Sequence, residues 1–418
     1  MNCENFKKKL SSAACLLLGS VPLAQAEEID KWNIDTSILH YKEGGGRVQA
    51  IEPEVELDKK FNDGREENLK FTIDVLTGAT PTGATATNVP QTFTRPSGKH
   101  SYTVPAGVTP LDDTFHDRRL AVNGSWKQPL NKLLLATFGA SLSTEYDFRS
   151  IGLNAQIARD LNQKNTTLIF GLSTEADQVN PVGGAPIPFA VPAAAGAAQP
   201  REGSHKAKSV LDGLIGVTQI VNRRTLMQFN YSLSHESGYL NDPYKFLSRI
   251  NPATGSTDDY VYENRPGSRT KNAFYWLTRT SLNRDVISAS YRYFFDDWGI
   301  KSQTLDVNYN WKFSEKQYLE PRFRIYSQSA ADFYHVNLLS GEALPQNASA
   351  DYRLAKFNGF TYGLKWGMHL RDNSEVMVRI EYYMQVGDSN PGSAIGVQKG
   401  LDLYPGLKAT IAQVEYKF

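Results

Sequence analysis

Residues 304–313 read Thr-Leu-Asp-Val-Asn-Tyr-Asn-Trp-Lys-Phe, and this stretch decides the class of fold. From Leu305 to Phe313 every second residue is apolar or aromatic, and the residues between them are Asp, Asn and Lys. Side chains alternate between the two faces of a β-strand, so the segment is a strand with one apolar and one polar face. Such a strand suits a wall that has lipid on one side and water on the other.

The same alternation recurs along the chain, for example at 319–326 and 376–384. It is weaker at 33–41, 206–221 and 269–283. An even strand count is what a closed antiparallel barrel with both chain ends on one side requires. We count sixteen candidate strands, near 32–42, 46–58, 66–77, 114–127, 132–145, 147–160, 164–177, 206–221, 224–237, 269–283, 285–296, 300–313, 317–328, 354–370, 375–386 and 404–418.

The connections between these strands alternate in length. Short turns are predicted at 129–131, 161–163, 222–223, 314–316 and 371–374. Long stretches rich in Pro, Gly, Ala, Ser and Asn lie between them, at 78–113, 178–205, 238–267, 329–352 and 387–403. Outer-membrane barrels have short periplasmic turns and long external loops. The sequence therefore predicts an all-β fold, a transmembrane antiparallel up-and-down β-barrel of about sixteen strands.

The two ends of the chain indicate export and insertion. Residues 1–26 read as a cleaved signal peptide, because three lysines precede an apolar run and Ala24-Gln25-Ala26 follows it. Residues 27–418 are then the barrel, with no separate periplasmic domain. Val414, Tyr416 and Phe418 share one face of the last strand, which resembles the carboxy-terminal signature read by barrel-assembly machinery. We expect a location in the cell outer membrane, with its lipids and that machinery as partners.

The composition argues against several other functions. The formal net charge is +1, so we expect no nucleic-acid partner. Cys3 and Cys15 both lie in the signal peptide, which leaves no thiolate metal site or disulfide after cleavage. The histidines are scattered and no nucleophile elbow is present, so we expect no enzyme, no metal and no cofactor. The tip at 296–299 (Asp-Asp-Trp-Gly) has oxygen ligands for a cation, but we favour a turn with Trp298 at the lipid headgroups.

Charged residues of the polar strand faces are candidates for the barrel lumen. The second and third strands form an acidic wall, and the eleventh to fifteenth strands form a basic wall that partly faces it. Opposed walls favour polar and charged solutes in a narrow pore. Alternatively, the charges pair locally with Asp306, Glu320 or Glu381 and fill the lumen. The candidates are Glu52, Glu54, Glu56, Asp74, Arg292, Arg322, Arg324, Lys365 and Arg379.

Two loops, 78–113 and 178–205, are candidate plugs of the lumen. A third loop carries charged residues at both of its ends. We expect Asp242, Lys245, Glu263 and Arg265 to pair at its base as a loop clamp first and a ligand site second.

Loop phrases carry a family resemblance over nearly the whole mature chain. They resemble a bacterial outer-membrane family known only as domain of unknown function 3570. The resemblance implies an outer-membrane barrel with no settled activity, whose relatives are often encoded beside thioredoxin-like and flavin-transfer proteins. The phrases are 76–81 (Leu-Thr-Gly-Ala-Thr-Pro), 238–245 (Gly-Tyr-Leu-Asn-Asp-Pro-Tyr-Lys), 263–269 (Glu-Asn-Arg-Pro-Gly-Ser-Arg), 291–299 (Tyr-Arg-Tyr-Phe-Phe-Asp-Asp-Trp-Gly) and 348–354 (Ala-Ser-Ala-Asp-Tyr-Arg-Leu).

Three functions follow in order of preference. The first is a porin-like channel for small polar or charged solutes, since about sixteen strands enclose an aqueous lumen unless loops fill it. The second is a non-conducting, plugged barrel that works as a scaffold with periplasmic thioredoxin-like or flavin-transfer partners. The third is a soluble exported β-protein.

Overall fold

The computed structural model describes residues 30–370 and 374–418. The predicted signal peptide at 1–26 and most of the turn predicted at 371–374 lie outside these residues. In chain order the strands are β1 (Trp32–Glu43), β2 (Gln49–Lys60), β3 (Glu66–Pro81), β4 (Gln91–Thr94), β5 (Ser101–Val104), β6 (Leu111–Asn131), β7 (Leu134–Thr144), β8 (Phe148–Leu161), β9 (Thr166–Val179), β10 (Lys206–Asn222), β11 (Thr225–Gly238), β12 (Phe246–Ile250), β13 (Thr257–Tyr262), β14 (Ser268–Leu282), β15 (Asp285–Asp296), β16 (Lys301–Asn310), β17 (Gln317–Gln328), β18 (Leu338–Leu339), β19 (Phe357–His369), β20 (Glu375–Gly387) and β21 (Leu407–Lys417). Single 3₁₀ turns occur at Asn162–Lys164, Tyr352–Leu354 and Gly396–Gly400.

Sixteen of these strands close into one antiparallel barrel. Each long strand pairs with the next long strand in the chain, and β1 closes the ring against β21, with Ile38 opposite Val414. The predicted fold class and the sixteen predicted strands are confirmed. The prediction missed β4, β5, β12, β13 and β18, because strands of two to six residues inside loops have no long alternating face.

The outer surface of the barrel is apolar. Large apolar side chains stand exposed on the outer face of almost every strand, because alternation sends each second residue outward. An exposed apolar belt of this extent marks a surface that lipid or a partner covers. Among the described residues, no helix is long and apolar enough to cross a membrane. Representative members of the belt are Ile38, Phe71, Leu142, Leu172, Ile215, Phe229, Trp276, Leu305, Leu364 and Ile380.

The two ends of the barrel differ. At the end that we call the short-turn end, the connections are short, for example 132–133, 223–224 and 283–284. At the opposite, long-loop end lie the five long loops, 82–110, 180–205, 239–267, 329–356 and 388–406. Three connections at this end are short as well, at 44–48, 145–147 and 297–300. The predicted segregation of turns and loops is therefore present, with these three exceptions.

The long loops fold together into a body that we call the loop cap. Its strands form a hairpin, β4–β5, and a three-stranded sheet in which β18 runs parallel to β12. Two apolar clusters hold these pieces together. One contains Ala84, Phe93, Val104, Phe246 and Tyr262, and the other contains Leu247, Val261, Leu338, Ala348 and Ala350.

The loop cap also packs against inward-facing residues of the barrel. Phe294 of β15 lies in one cluster with Phe333 and Leu354 of the loop 329–356. Tyr326 of β17 lies in another with Tyr404, a residue of the loop 388–406. Loops 78–113 and 178–205 were the predicted plugs; loops 239–267, 329–356 and 388–406 also contribute residues to the apolar clusters at this end.

The expectation for Trp298 was wrong. Its side chain is buried, its ring meets Phe333 edge-on with 5.0 Å between centroids, and its indole N–H donates to the Ser268 carbonyl at 2.8 Å. The loop 329–356 folds over this turn, which no pattern within residues 296–299 reveals. The predicted turn itself is present, since the Gly299 N–H donates to the Asp296 carbonyl.

Candidate functional site

The strand register turns all nine candidate lumen residues toward the barrel interior. On β2, Ile51 and Val55 are exposed on the outer face, so the intervening Glu52 and Glu54 point inward. On β17, Phe323 is exposed outward, and the inward Arg322 lies opposite Gly363 of β19. Period-two alternation alone gave these directions.

The acidic wall is Glu52, Glu54, Glu56 and Asp74. Its four carboxylates share two cations of the neighbouring strands. Lys70 Nζ lies 2.8 Å from Glu54 and 3.8 Å from Glu56. Arg119 lies 2.7 Å from Asp74 and 3.4 Å from Glu52. The wall therefore keeps an excess of negative charge although each member has a near cation.

The basic wall holds more cations than carboxylates. Arg322 is bound twice, to Asp306 at 2.5 Å and to Glu381 at 3.0 Å. Arg324 lies 4.0 Å from Asp306, and Arg379 lies 3.6 Å from Glu381. Four carboxylates, Asp306, Glu320, Glu381 and Glu415, thus face the six cations that we define as the basic wall: Arg279, Arg292, Arg322, Arg324, Lys365 and Arg379.

The sequence left two alternatives, local ion pairs or two walls of opposite charge, and the structure contains both arrangements. Lys365 bonds Glu320 at 3.0 Å, as local pairing predicts, yet each wall retains its own sign. The sequence reading missed Lys70, Arg119 and Arg279. They follow the same alternation, but their importance depends on which strand lies beside which acidic residue, and that needs the register.

On the closing strands β1 and β21, inward-facing side chains are more exposed at the short-turn end than at the cap end. On the inner face of β21, Leu407 is 2% exposed near the loop cap, whereas the Lys417 side chain is 34% exposed near the short-turn end. On β1, Tyr41 is buried while the Asp35 side chain is one-quarter exposed. The cap end of this wall is therefore closed to solvent and the other end is accessible.

A polar cavity, which we call the chamber, lies against the basic wall. Its volume is about 500 Å³. Hydroxyl and amide groups of β14–β16 line one side of it, and charged groups of β17–β21 line the other. The charged lining residues are Arg279, Asp306, Glu320, Arg322, Lys365, Arg379, Glu381 and Glu415.

The predicted loop clamp is part of a larger buried network, which we call the latch: Asp242, Lys245, Glu263, Arg265, Asp351 and Arg353. Arg265 lies 2.6 Å from Glu263 and 2.8 Å from Asp351, and all three side chains are buried. Arg353 bonds Asp242 at 2.6 Å and also pairs with Asp351. The latch thus ties the loop 239–267 to the loop 329–356.

Lys245 extends the latch to the barrel wall. Its ammonium donates to the carbonyl of Pro81, the last residue of β3, at 2.5 Å. It was predicted to pair at the loop base, and its backbone N–H does donate to the Asp242 carbonyl. Asp351 and Arg353 were missed, although both lie in the phrase 348–354, because nothing local indicates that this loop meets residues 86 and 111 positions earlier.

Charges within the latch shift the pKa values of its carboxyl groups. Burial alone would raise the pKa of Asp351, but Arg353 and Arg265 hold it well below its usual value. Burial likewise opposes ionisation of Asp242, and Lys245 with Arg353 holds its pKa below the usual value. Burial raises the pKa of Glu263 despite the nearby Arg265. Two of the three carboxylates are therefore stabilised as anions.

The candidate insertion signal lies on the outer face of the closing strand. Val414 and Phe418 are exposed there, and the Phe418 ring meets that of Tyr416 edge-on at 4.4 Å. The Phe418 N–H donates to the Ile34 carbonyl of β1, so the last residue takes part in barrel closure. Within the described parts of the chain, no group of three His, Cys, Asp or Glu side chains is arranged to hold a metal ion.

Comparisons with known proteins give a family and distant structural neighbours. A family model described as "Protein of unknown function (DUF3570)" matches residues 7–418. The siderophore receptor PirA from Acinetobacter baumannii is 6% identical, with 87% of this chain and 54% of the receptor covered at a TM-score of 0.43. A ferric enterobactin receptor from Pseudomonas aeruginosa is 10% identical, with 93% and 60% covered and a TM-score of 0.44.

A bacterial polysaccharide outer membrane secretin is 7% identical, with 94% of this chain and all of the secretin chain covered at a TM-score of 0.44. The chain spans little more than half the length of the two receptors. No curated protein matches it.

Proposed function

We propose that this chain, which belongs to the family described as protein of unknown function (DUF3570), is an outer-membrane channel for small polar or charged solutes. The family predicted from the loop phrases is confirmed by the match over residues 7–418. One observation carries the proposal: the barrel encloses a cavity lined by charged residues, and a loop cap packs against inward-facing residues at the long-loop end. The channel is closed in this conformation, and the latch holds it closed.

The apolar belt supports the location in the outer membrane. A barrel whose outer face carries Leu142, Leu172 and Ile380 in the open is stable in lipid and would associate through these residues in water. The expected test is fractionation of cells that express the full chain. The protein should sediment with outer membranes and migrate faster on a gel before heating than after it. A soluble protein with one gel position would contradict the proposal.

The opposed walls support selection by polarity. Sixteen strands enclose a lumen wide enough for water and small solutes where loops do not fill it. Charge walls of opposite sign set up a field across such a lumen, and this field favours polar solutes over apolar ones. Glu54 and Arg322 are central members of the two walls, and both are bound to neighbours that hold their positions.

The loop cap supports a second candidate. A permanently plugged barrel would also have a latch with buried charges and a cap held by two apolar clusters. Such a barrel would serve as a scaffold for periplasmic partners, such as the thioredoxin-like or flavin-transfer proteins that the family resemblance implies. In this case the short-turn end, not the chamber, is the working surface.

Planar-bilayer recording separates the two functions. Purified full-length protein should give rare conductance steps, and the Arg265→Met variant, which leaves Glu263 and Asp351 without their shared cation, should give frequent ones. Arg249→Met is the matched control, since Arg249 pairs with Asp259 in the same loop but in a partly exposed position. The absence of conductance steps in all three proteins would contradict the channel function and favour the scaffold function.

A further inference from the structure

Arg279 stands apart from the other cations of the chamber. It lies on β14 and faces inward, between Leu226 of β11 and Ser288 of β15. Its Nε donates to the Ser288 hydroxyl at 3.2 Å. Within residues 30–370 and 374–418, it forms no ion pair, whereas Arg322 and Lys365 are both bound to carboxylates. Its guanidinium therefore has donors left for a ligand.

The groups around Arg279 are neutral hydrogen-bonding groups. Ser288 and Ser290 of β15, Tyr275 of β14 and Asn308 of β16 line the same side of the chamber. They supply hydroxyl and amide donors, which suit the oxygens of an anion.

The carboxylate on this side of the chamber is already engaged. Asp306 is the carboxylate that β14–β16 contribute to the chamber lining, and it is bound to Arg322 at 2.5 Å. Arg324 lies 4.0 Å from the same carboxylate. Asp306 therefore already serves Arg322 and Arg324, while no carboxylate among the described residues is paired with Arg279.

We propose that Arg279, with Ser288 and Ser290, binds the carboxylate or phosphate group of a small anion that enters the chamber from the short-turn end. This inference rests on the proposed function and names the class of solute for it. A guanidinium binds carboxylate and phosphate through parallel N–H donors, and a partly enclosed site strengthens such bonds. The cavity of about 500 Å³ has room for an anion of the size of succinate or phosphate.

Binding is measured first, because it does not depend on conduction. Calorimetric titration of the detergent-purified full chain with succinate and, separately, with inorganic phosphate should give binding above that of chloride. Arg279→Gln should weaken it roughly tenfold, because a charge-assisted hydrogen bond is lost. Arg279→Lys should retain part of the affinity. Arg284→Gln is the control, since Arg284 is exposed in the short turn of the same hairpin and should bind as the wild type does.

The two anions decide between the sources of the ligand group. Binding of succinate alone assigns a carboxylate solute, and binding of phosphate alone assigns a phosphorylated one. Equal affinity of the wild type and Arg279→Gln for both anions, or no binding by the wild type, would overturn the inference.

Selectivity is measured second, in bilayers under a potassium chloride gradient. Arg279→Gln should shift the reversal potential toward cation preference, and Arg284→Gln should not. Anion binding at Arg279 without any conductance would disprove the channel function and support this binding site. Conductance together with unchanged anion affinity and selectivity in the Arg279→Gln variant would support the channel function and disprove this binding site.

Discussion

Arg322 of β17 reaches Glu381 of β20 across a strand that lies between them, with 3.0 Å between Nη1 and Oε1. The intervening strand, β19, places Gly363 opposite both residues. A Cβ at Gly363 would lie 3.0 Å from Glu381 Cγ and 3.3 Å from Arg322 Cβ. The absence of a side chain at Gly363 is therefore what permits this ion pair between strands that are not neighbours.

The first prediction concerns Gly363→Ala. We expect the new methyl group to separate Arg322 from Glu381 and to destabilise the barrel by about 1–3 kcal/mol, the usual cost of overpacking. Urea unfolding of the protein in lipid vesicles measures it. Gly392→Ala is the control, because a Cβ there meets nothing within 4 Å. Equal stability of the two variants would show that a methyl group at position 363 fits without separating Arg322 from Glu381.

The second prediction concerns Arg265→Met. Removing this cation leaves Glu263 and Asp351 buried without it, which typically costs about 3–5 kcal/mol. The loss of stability affects the loop cap, because the barrel strands do not depend on the ion pairs of Arg265. We expect rapid proteolytic cleavage within 239–267 while the barrel fragment stays intact.

Arg249→Met controls for the loss of any ion pair in the same loop. Arg249 and Asp259 are about one-third exposed, so their pair contributes about 0–1 kcal/mol. Cleavage of the two variants at the same rate would contradict the role of Arg265.

The third prediction concerns acid. The pKa of Asp351 is lowered by Arg353 and Arg265, so its contribution to stability is present above its unfolded pKa of about 3.9 and is lost as the pH falls through the folded value. The pKa of Glu263 is raised by burial, so its protonation on acidification favours the folded cap. We therefore expect the cap to hold, or to tighten slightly, between pH 7 and about pH 5 and to loosen below about pH 4.

Hydrogen exchange of amides in 239–267 and 329–356, corrected for the intrinsic pH dependence, measures this profile. The barrel amides serve as the internal reference. Loosening of both loops between pH 6 and pH 5 would be the wrong sign for Glu263 and would refute the assignment.

The fourth prediction concerns the end of the chain. Deletion of Phe418 removes an exposed outer-face ring and the N–H that bonds Ile34 in the closing strand. We expect less heat-modifiable protein in outer membranes of cells that express the deletion. Phe313→Ala removes another exposed phenylalanine of the short-turn end and should assemble normally. Equal assembly of the deletion and the wild type would count against an insertion signal at 414–418.

The sequence by itself determined the barrel. Side chains alternate between the two faces of a strand wherever the strand lies. Each alternating run of sequence therefore predicts the length of a strand and the residues on each of its faces without reference to the rest of the chain. This is why the sixteen strands and the inward direction of Glu54 and Arg322 followed from local patterns. The family followed from loop phrases for the same reason, because each phrase is contiguous.

Only the tertiary structure decided what lies at the long-loop end and which charges meet. Arg265 and Asp351 are 86 positions apart, and the Trp298 ring is covered by Phe333, which lies in the loop 329–356. Contacts of this kind depend on how loops of different hairpins fold over one rim, and no periodicity encodes that. The barrel wall is a repeating local structure, whereas the cap, the latch and the environment of Arg279, which has no ion pair among the described residues, are products of long-range packing.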